Sequence, residues 1–220
     1  TETGRLSCSH PNLQNLPIKS EISRLVRKAV IPSFSDGWLI CADYSQIELR
    51  VLAHLSEDPL LVKSFQEDKD IHKFTASLLY GIEEKDVTDE MRDLAKRVNF
   101  GIIYGLTSYG LAKDLGISQE DAQRFIDDYF LRYPKVKDFI DNQIEKAKKD
   151  GFVTTLFGRR RYLTHIHSTQ EVLRSLAQRQ AINTVVQGTA SDLIKKAMIG
   201  IQYALKKQGL KTKMILQIHD

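Results

Sequence analysis

The sequence predicts an α+β fold, in which short strands flank a helix-rich centre. Two short apolar runs predict the strands, and each leads to a carboxylate. Trp38–Asp43 ends on Asp43, and Lys211–Ile218 is followed by His219 and Asp220. Between these runs, helix start and stop signals recur from residue 46 to residue 205. Strands on both sides of a series of helices are typical of the α+β class.

The N-terminal segment is predicted mainly as loops. Residues 4–18 contain Pro11, Pro17 and several asparagines, which favour extended chain and turns. Residues 20–30 form either a short helix or a strand. The dipeptide Asp36-Gly37 then predicts a turn directly before the first strand.

Caps and breakers define the central helices. Gly81 and Pro134 each stop a helix, and Thr88 is the expected N-cap of another. Ser118 begins a capping-box pattern in which Asp121 replaces the usual Glu. The predicted helices span Gln46–Ser56 (stopped before Pro59), Ile71–Tyr80, the segment from Thr88 to Gly105, Ser118–Tyr133 and Val136–Lys149.

The C-terminal third begins with a predicted hairpin, in which Phe152–Leu156 and Arg161–Thr164 alternate around Gly158. A helix is predicted over Glu171–Leu205, with a break near Gly188. The strand Lys211–Ile218 completes the predicted elements.

Composition limits the class of protein without identifying it. The 220 residues carry a net charge of +4, which permits a polyanionic partner. No apolar run approaches the length of a membrane span, so we expect no membrane partner. Two cysteines without metal-site spacing favour a reducing compartment. A start at Thr1 and a stop directly after an apolar run suggest a piece of a longer protein.

One predicted helix carries a row of chemically matched side chains. Arg92, Lys96, Phe100 and Tyr104 recur at every fourth position and therefore lie along one side of the helix. Cations suit a polyphosphate and a ring suits a base, so this row (the nucleotide stripe below) could hold a nucleotide. The alternative is an ordinary amphipathic helix whose rings belong to the core and whose cations are solvated.

The aspartates at the two predicted strand ends suggest metal chemistry. If Asp43 and Asp220 converge, their carboxylates could hold two Mg²⁺ ions, as in two-metal phosphoryl-transfer sites. The alternative is that each aspartate only begins a turn.

Several motifs together resemble the family A DNA polymerases, in the order in which that family has them. Asp43-Tyr-Ser-Gln-Ile-Glu-Leu-Arg50 resembles the first palm motif, and the nucleotide stripe with Gly101 and Gly105 resembles the fingers helix. Gln217-Ile-His-Asp220 resembles the second carboxylate motif, cut short. The other matching segments are Thr3–Ser7, Asn12–Asn15, Phe157–Tyr162 and Arg179–Ala190.

The resemblance implies an incomplete right-hand polymerase, with an antiparallel palm sheet and a helical fingers subdomain. Residues 1–65 and 166–220 would be palm, and residues 66–165 would be fingers. The thumb and the rest of the palm would belong to the parent chain, so the isolated fragment should be a poor enzyme with a sheet edge prone to aggregation.

The resemblance also implies the roles of single residues at the reacting centre. Asp43 and Asp220 would bind two Mg²⁺ ions, for which Mn²⁺ is a possible substitute, and the Tyr44 carbonyl would complete one coordination shell. Lys96 would also protonate the leaving pyrophosphate. The triphosphate would be bound by Gln46, His72, Arg92 and Lys96.

The nucleotide's sugar and base would meet three further residues. Glu48 would occupy the space that a 2′-OH needs and so exclude ribonucleotides. Phe100 would stack against the incoming base or sugar. Tyr104 would cap the position of the templating base.

Primer and template near the growing end would be contacted by polar side chains that donate hydrogen bonds. Such donors can check the geometry of a base pair in the minor groove without reading its sequence. The residues implied are Arg5, Asn15, Arg179, Asn183, Gln187 and His219. Arg159, Arg160 and Arg161 form the densest basic cluster, which is either a phosphate contact or a solvated hairpin tip.

The function expected from the sequence is template-directed DNA synthesis, in DNA replication or DNA repair. The partners would be primer-template DNA, deoxynucleoside triphosphates and the remainder of the parent chain. The expected location is the cytoplasm of a bacterium, and the alternative is an organellar or viral origin. The alternatives are a single-subunit RNA polymerase and, for the fragment, a catalytically silent nucleic-acid-binding module.

Overall fold

The computed structural model describes residues 1–15, 25, 26 and 28–218. The backbone divides into two compact units, one of residues 46–190 and one of residues 1–45 with 191–220. These boundaries differ from those predicted for palm and fingers, and that assignment stays a prediction. Most of the segment 20–30, predicted as helix or strand, lies outside the described residues.

The unit of residues 46–190 is built almost entirely from helices. Its seven complete α-helices among the described residues are α1 (Ile47–Ser56), α2 (Pro59–Gln66), α3 (Ile71–Tyr80), α4 (Asp89–Ile103), α5 (Ser108–Leu115), α6 (Gln119–Arg132) and α7 (Pro134–Asp150). An eighth, α8 (Glu171–Lys207), begins in this unit and continues past it. Short 3₁₀ turns cover Leu13–Asn15 and Glu84–Asp86.

The helix caps expected from the sequence are confirmed. The Thr88 hydroxyl accepts a hydrogen bond from the backbone N–H of Met91 at the start of α4. At the start of α6, Ser118 accepts from the Asp121 N–H and donates to the Asp121 carboxylate. Gly81 ends α3 in the left-handed conformation, with φ of 66°.

Two helices were not predicted. Pro59, expected to end a helix, is instead the first residue of α2, a position where its missing N–H costs nothing. The Asp58 carboxylate caps α2 by accepting from the N–H groups of Leu60 and Leu61. Helix α5 begins at the Thr107 cap and ends at Gly116, another left-handed glycine.

The predicted break in the last helix is wrong, because α8 runs without interruption over Glu171–Lys207. A glycine in a helix costs about 1 kcal/mol relative to alanine. Here the neighbours of Gly188, including Val185, Val186 and Thr189, are buried, and their packing offsets that cost.

The predicted hairpin is confirmed. Strands β1 (Phe152–Thr154) and β2 (Arg160–Tyr162) pair antiparallel, with Val153 opposite Arg161. Val153 is fully buried, whereas the strand residues on the other face are not.

The two predicted carboxylate-ending strands are wrong within the described residues. Neither Trp38–Asp43 nor Lys211–Ile218 is a strand, and Trp38, Ile40 and Ile215 are 88%, 80% and 74% exposed. A strand needs a hydrogen-bonded neighbour and an apolar cover, and neither run has a paired strand in the part of the chain described. The described fold is therefore mostly helical, with one two-stranded antiparallel sheet.

The core of the helical unit fixes the positions of α1, α3 and α4. Fully buried side chains from these helices include Leu49 and Leu52 on α1, Ile71 on α3 and Val98 on α4. Tyr129 and Tyr133, at the junction of α6 and α7, are the largest fully buried side chains, and their ring centroids lie 4.8 Å apart. In the other unit, the Gln14 side-chain amide donates to the Gln217 carbonyl at 2.9 Å.

Candidate nucleotide site

The nucleotide stripe lies on the side of α4 away from the core. The buried face of α4 consists of Ala95, Val98, Asn99, Ile102 and Ile103. In contrast, Arg92 and Phe100 are half-buried, Lys96 is exposed, and Tyr104 is 43% exposed at the helix C-cap. Neither ring is therefore a core residue, whereas the amphipathic-helix alternative requires both rings to lie in the core.

Arg92 is held in place by the carboxylate of Asp70, the residue that caps α3. Its Nε donates to Asp70 Oδ2 at 2.8 Å, while Asp70 Oδ1 caps α3 by accepting from the N–H groups of His72 and Lys73. Burial would raise the pKa of Asp70, but the hydrogen bonds from Arg92 and from α3 hold that pKa below its ordinary value. The contact uses Nε, so the Nη groups of Arg92 can still donate to a phosphate.

His72 lies beneath the stripe and is 3% exposed. Its ring centroid is 5.7 Å from that of Phe100, and its Nδ1 is 3.1 Å from Asn99 Nδ2. Burial lowers the pKa of His72 to about 4; Asp70 opposes this shift, and the cations Arg92 and Lys96 add to it. His72 is therefore neutral at pH 7, and any hydrogen bond that it gives to a phosphate comes from an uncharged ring.

At the far end of the stripe, three polar side chains meet. Tyr104 Oη donates to Glu48 Oε2 at 3.0 Å, and Gln187 Nε2 donates to Glu48 Oε1 at 3.3 Å. Gln187 Nε2 also lies 3.5 Å from Tyr104 Oη. Glu48 is only 4% exposed, and its carboxylate is held from two sides by donors from α8 and from the end of α4.

Two glycines allow the chain to pass close to the end of α4. A Cβ on Gly105 would lie 2.3 Å from Arg179 Cγ, and the residue has φ of +68°. A Cβ on Gly101 would lie 2.4 Å from Leu106 Cδ2. Both positions therefore need glycine, because the side chains of Arg179 and Leu106 occupy the space that a Cβ would take.

Helix α8 carries a second row of residues predicted to bind nucleic acid. Arg179, Asn183 and Gln187 are spaced by four and so share one side of α8. Arg179 packs against Gly105, and Gln187 contacts Glu48, so this row meets the end of the nucleotide stripe.

The basic cluster of the hairpin is partly structural. Arg159 donates to the Gly188 carbonyl at 3.1 Å, and Arg161 donates to the Thr184 hydroxyl at 2.9 Å. Both bonds attach the hairpin to α8. Arg160 instead lies over the Phe152 ring, 4.8 Å from its centroid, and is exposed.

The remaining predicted site residues are spread over both units. Gln46 is the left-handed N-cap of α1, with φ of 54°. Asp43, Tyr44 and Asn15 are exposed, and Arg5 lines a small cleft with Lys195 and Gln217. His219 and Asp220 lie outside the described residues, so the predicted convergence of the two aspartates does too.

Two other kinds of feature are absent from the described part of the chain. Within residues 1–15, 25, 26 and 28–218, no three His, Cys, Asp or Glu side chains are grouped to hold a metal ion. None of the helices described there is long and apolar enough to cross a membrane.

Sequence reasoning missed Asp70 and Asn99, although both left a signal. Asp70 directly precedes Ile71, the first residue of a predicted helix, which is the position of an N-cap. Asn99 is a polar residue on the apolar face of α4, where a buried amide requires hydrogen-bonding partners.

Comparison with known proteins agrees with the motifs over the whole chain. The family model for DNA polymerase family A matches residues 1–220. The chain is 52% identical to DNA polymerase I of Caldicellulosiruptor bescii, 50% to that of Geobacillus stearothermophilus and 48% to that of Bacillus subtilis. Each match covers the whole chain but only 25% or 26% of the relative, so the chain spans about a quarter of their length.

A solved structure shows the same fold. The chain matches the POL domain of Pol1 from M. smegmatis, in complex with DNA primer-template and dNTP, with a TM-score of 0.93 and 42% identity. The match covers the whole of this chain and 39% of the other. With the family model matched from the first residue to the last, this chain belongs to DNA polymerase family A.

Proposed function

We propose that the chain is the palm and fingers part of a polymerase that synthesises DNA on a template. A primer 3′-OH attacks the α-phosphate of a deoxynucleoside triphosphate, and pyrophosphate leaves. Residues 66–165 are assigned to the fingers, and residues 1–65 and 166–220 to the palm. The relatives named DNA polymerase I and the solved complex with primer-template and dNTP support this proposal.

The observation that carries the proposal is the outward face of α4. From one end to the other it presents Arg92 held by Asp70, then Lys96, then the ring of Phe100 and the hydroxyl of Tyr104. Two cations followed by a ring match a triphosphate followed by a nucleoside. Arg92, Lys96, His72 and Gln46 bind the phosphates in this proposal, and Lys96 protonates the leaving pyrophosphate.

Glu48 is proposed to exclude ribonucleotides. Its carboxylate is nearly buried and is oriented by Tyr104 and Gln187, so it cannot easily turn aside for a 2′-OH. This arrangement favours DNA synthesis over the single-subunit RNA polymerase considered from the sequence.

The metal site belongs to the other unit. Asp43, Asp220 and the Tyr44 carbonyl supply only hard oxygen atoms, which is the donor chemistry that Mg²⁺ prefers, and Mn²⁺ is a possible substitute. Asp43 is exposed and so accessible to an ion. When bound, the ions would neutralise phosphate charge and activate the attacking oxygen.

The primer and template are proposed to lie along the row on α8. Arg179, Asn183 and Gln187 form this row, and the family resemblance implies the same role for Arg5, Asn15 and His219. Closure of α4 over a correctly paired nucleotide would couple base pairing to catalysis. Equal nucleotide affinity with matched and mismatched templates would contradict that coupling.

Primer extension by the full-length parent polymerase tests the proposal, with Mg²⁺ and either deoxy- or ribonucleotides. We expect templated deoxynucleotide addition by the wild type, its abolition by Asp43→Ala, and ribonucleotide incorporation by Glu48→Ala. Asp36→Ala is a matched control, because Asp36 is also an exposed loop aspartate in the same unit. DNA binding without extension by the wild type would instead support the silent binding module.

A further inference from the structure

A chain of buried polar side chains runs beneath the nucleotide stripe. His72 Nδ1 lies 3.1 Å from Asn99 Nδ2, and Asn99 Oδ1 lies 3.3 Å from the Thr75 hydroxyl. The Thr75 hydroxyl lies 3.1 Å from Tyr133 Oη, and 3.2 Å from Asn99 Nδ2 as well. Asn99, Thr75 and Tyr133 have no exposed surface, so the chain is shielded from water.

We propose that Asn99 is a positioning residue, which fixes the tautomer of His72 so that the ring presents Nε2–H to the triphosphate of the bound nucleotide. An amide nitrogen only donates, so Nδ1 of His72 must accept. A neutral imidazole whose Nδ1 accepts carries its proton on Nε2. This inference rests on the proposed nucleotide-binding role of His72.

The rest of the chain orients the Asn99 amide. Burial raises the pKa of Tyr133 well above its ordinary value, so that the phenol stays protonated and can donate to Thr75. Thr75 can then donate its own proton to Asn99 Oδ1, while Nδ2 donates one hydrogen to the Thr75 hydroxyl and has a second hydrogen for His72 Nδ1. Asn99 therefore sits between the Thr75 hydroxyl and the imidazole, and its orientation determines which ring nitrogen is protonated.

Burial, more than the surrounding charges, lowers the pKa of His72 and so favours the neutral ring that this arrangement needs. Asp70 caps α3 beneath it and Asp93 lies on α4; both favour protonation. Burial opposes protonation most strongly, and Arg92 and Lys96 on α4 add to it. Together they outweigh the two carboxylates and lower the pKa of His72. A neutral His72 could still present either nitrogen, and Asn99 removes that choice.

Asn99→Asp in the full-length polymerase is the sharpest test. A carboxylate only accepts, so it draws the His72 proton to Nδ1 and leaves Nε2 as an acceptor that repels a phosphate. Loss of one hydrogen bond to a charged group predicts a rise of about tenfold in KM for the deoxynucleotide at pH 8, with a smaller change in kcat. The same carboxylate raises the pKa of His72, so at pH 6 the ring gains a second proton, Nε2 donates again, and KM falls back.

Three variants separate positioning from general damage. Asn99→Leu removes the amide without adding charge, so its KM should rise and show no recovery at pH 6. Thr75→Val keeps Asn99 but removes the hydroxyl that orients its amide, so KM should rise by less than in either Asn99 variant. In a His72→Ala background, Asn99→Asp should add little, because the residue through which Asn99 acts is gone.

A spectroscopic measurement does not depend on catalysis. In wild-type polymerase with ¹⁵N-labelled histidine, the His72 signals are assigned by their loss in His72→Ala. They should show a protonated Nε2 and a bare Nδ1 at pH 8. A protonated Nδ1 in the wild type would overturn the proposal even if the Asn99 variants fail to fold.

The kinetic outcomes are equally decisive. An unchanged KM in Asn99→Asp, an increase that is the same at pH 6 and pH 8, or a full additional loss in the His72→Ala background would each overturn the positioning role. Failure of the wild type to extend a primer would refute the proposed function itself. Normal extension with an unaltered KM in His72→Ala would leave the proposed function intact and refute only the role of His72.

Discussion

The hydrogen bond between Tyr104 and Glu48 gives the most direct handle on sugar selection. Replacement of Tyr104 by Phe removes only the hydroxyl that donates to Glu48 Oε2 at 3.0 Å. The ring that continues the nucleotide stripe is kept. The carboxylate would keep the hydrogen bond from Gln187, whose amide donates to the other oxygen at 3.3 Å.

The size of the effect follows from the chemistry of that bond. A hydrogen bond to a charged acceptor contributes about 1.5–3 kcal/mol when both partners are protected from water. Tyr104 is 43% exposed, so we use the lower end of this range. About 1.5 kcal/mol corresponds to a roughly tenfold fall in the preference for deoxy- over ribonucleotides, because a less constrained Glu48 can move away from a 2′-OH.

The assay is single-nucleotide primer extension by the full-length polymerase, with kcat/KM measured for a deoxynucleotide and for its ribonucleotide. Tyr109→Phe is the matched control, since Tyr109 is a 68% exposed tyrosine on α5 and should leave the ratio unchanged. Glu48→Ala sets the upper limit for the loss of preference, because it removes the carboxylate altogether. A ratio for Tyr104→Phe equal to that of the wild type would refute the view that Tyr104 orients Glu48.

Three other predictions test the scaffold. Gly105→Ala should lower the melting temperature and weaken DNA binding by displacing Arg179, whereas Gly116→Ala, with φ of +67° but open space around it, should affect only stability. Asp58→Ala should lower the free energy of unfolding, measured with urea, by about 2–4 kcal/mol, and Asp58→Asn should lower it less. The reason is that the carboxylate caps α2 and also accepts a hydrogen bond from the Lys135 N–H at the start of α7. The folded-state pKa of His72 is about 4, below its ordinary 6.5, so its contribution to stability should be complete above pH 6.5 and be lost as the pH falls toward 4. His72→Gln should flatten that part of the stability profile.

The helices were predictable wherever the signal was local. Thr88 and Ser118 cap their helices through side-chain atoms that reach only three residues along the chain, and sequence spacing captures such contacts. Pro59 shows the limit of a local rule. A proline is as well suited to start a helix as to stop one, and the buried Asp58 cap decides between the two.

The predictions of two strands failed because a strand forms only when it pairs with another strand, which can lie far away in the sequence. Phe152–Thr154 found its partner six residues further along the chain and was predicted correctly. Trp38–Asp43 has an equally apolar sequence, but its extended chain needs a partner that no spacing rule supplies. The metal site predicted from these two runs therefore stays a prediction, and so do the roles of Asp43 and Asp220.

The nucleotide stripe was visible in the sequence, but the layer beneath it was not. Spacing places Arg92, Lys96, Phe100 and Tyr104 on one face, and any helix with that pattern would show the same row. What distinguishes this helix is that Asp70 fixes the first member of the row and Glu48 contacts the last, while Asn99 holds the histidine behind the third. The two residues of each contact lie between 22 and 56 positions apart in the sequence, so only the fold brings them together. If nucleotide selection depends on geometry rather than on charge alone, variants of this hidden layer should alter selectivity more than a charge-conserving change such as Lys96→Arg does.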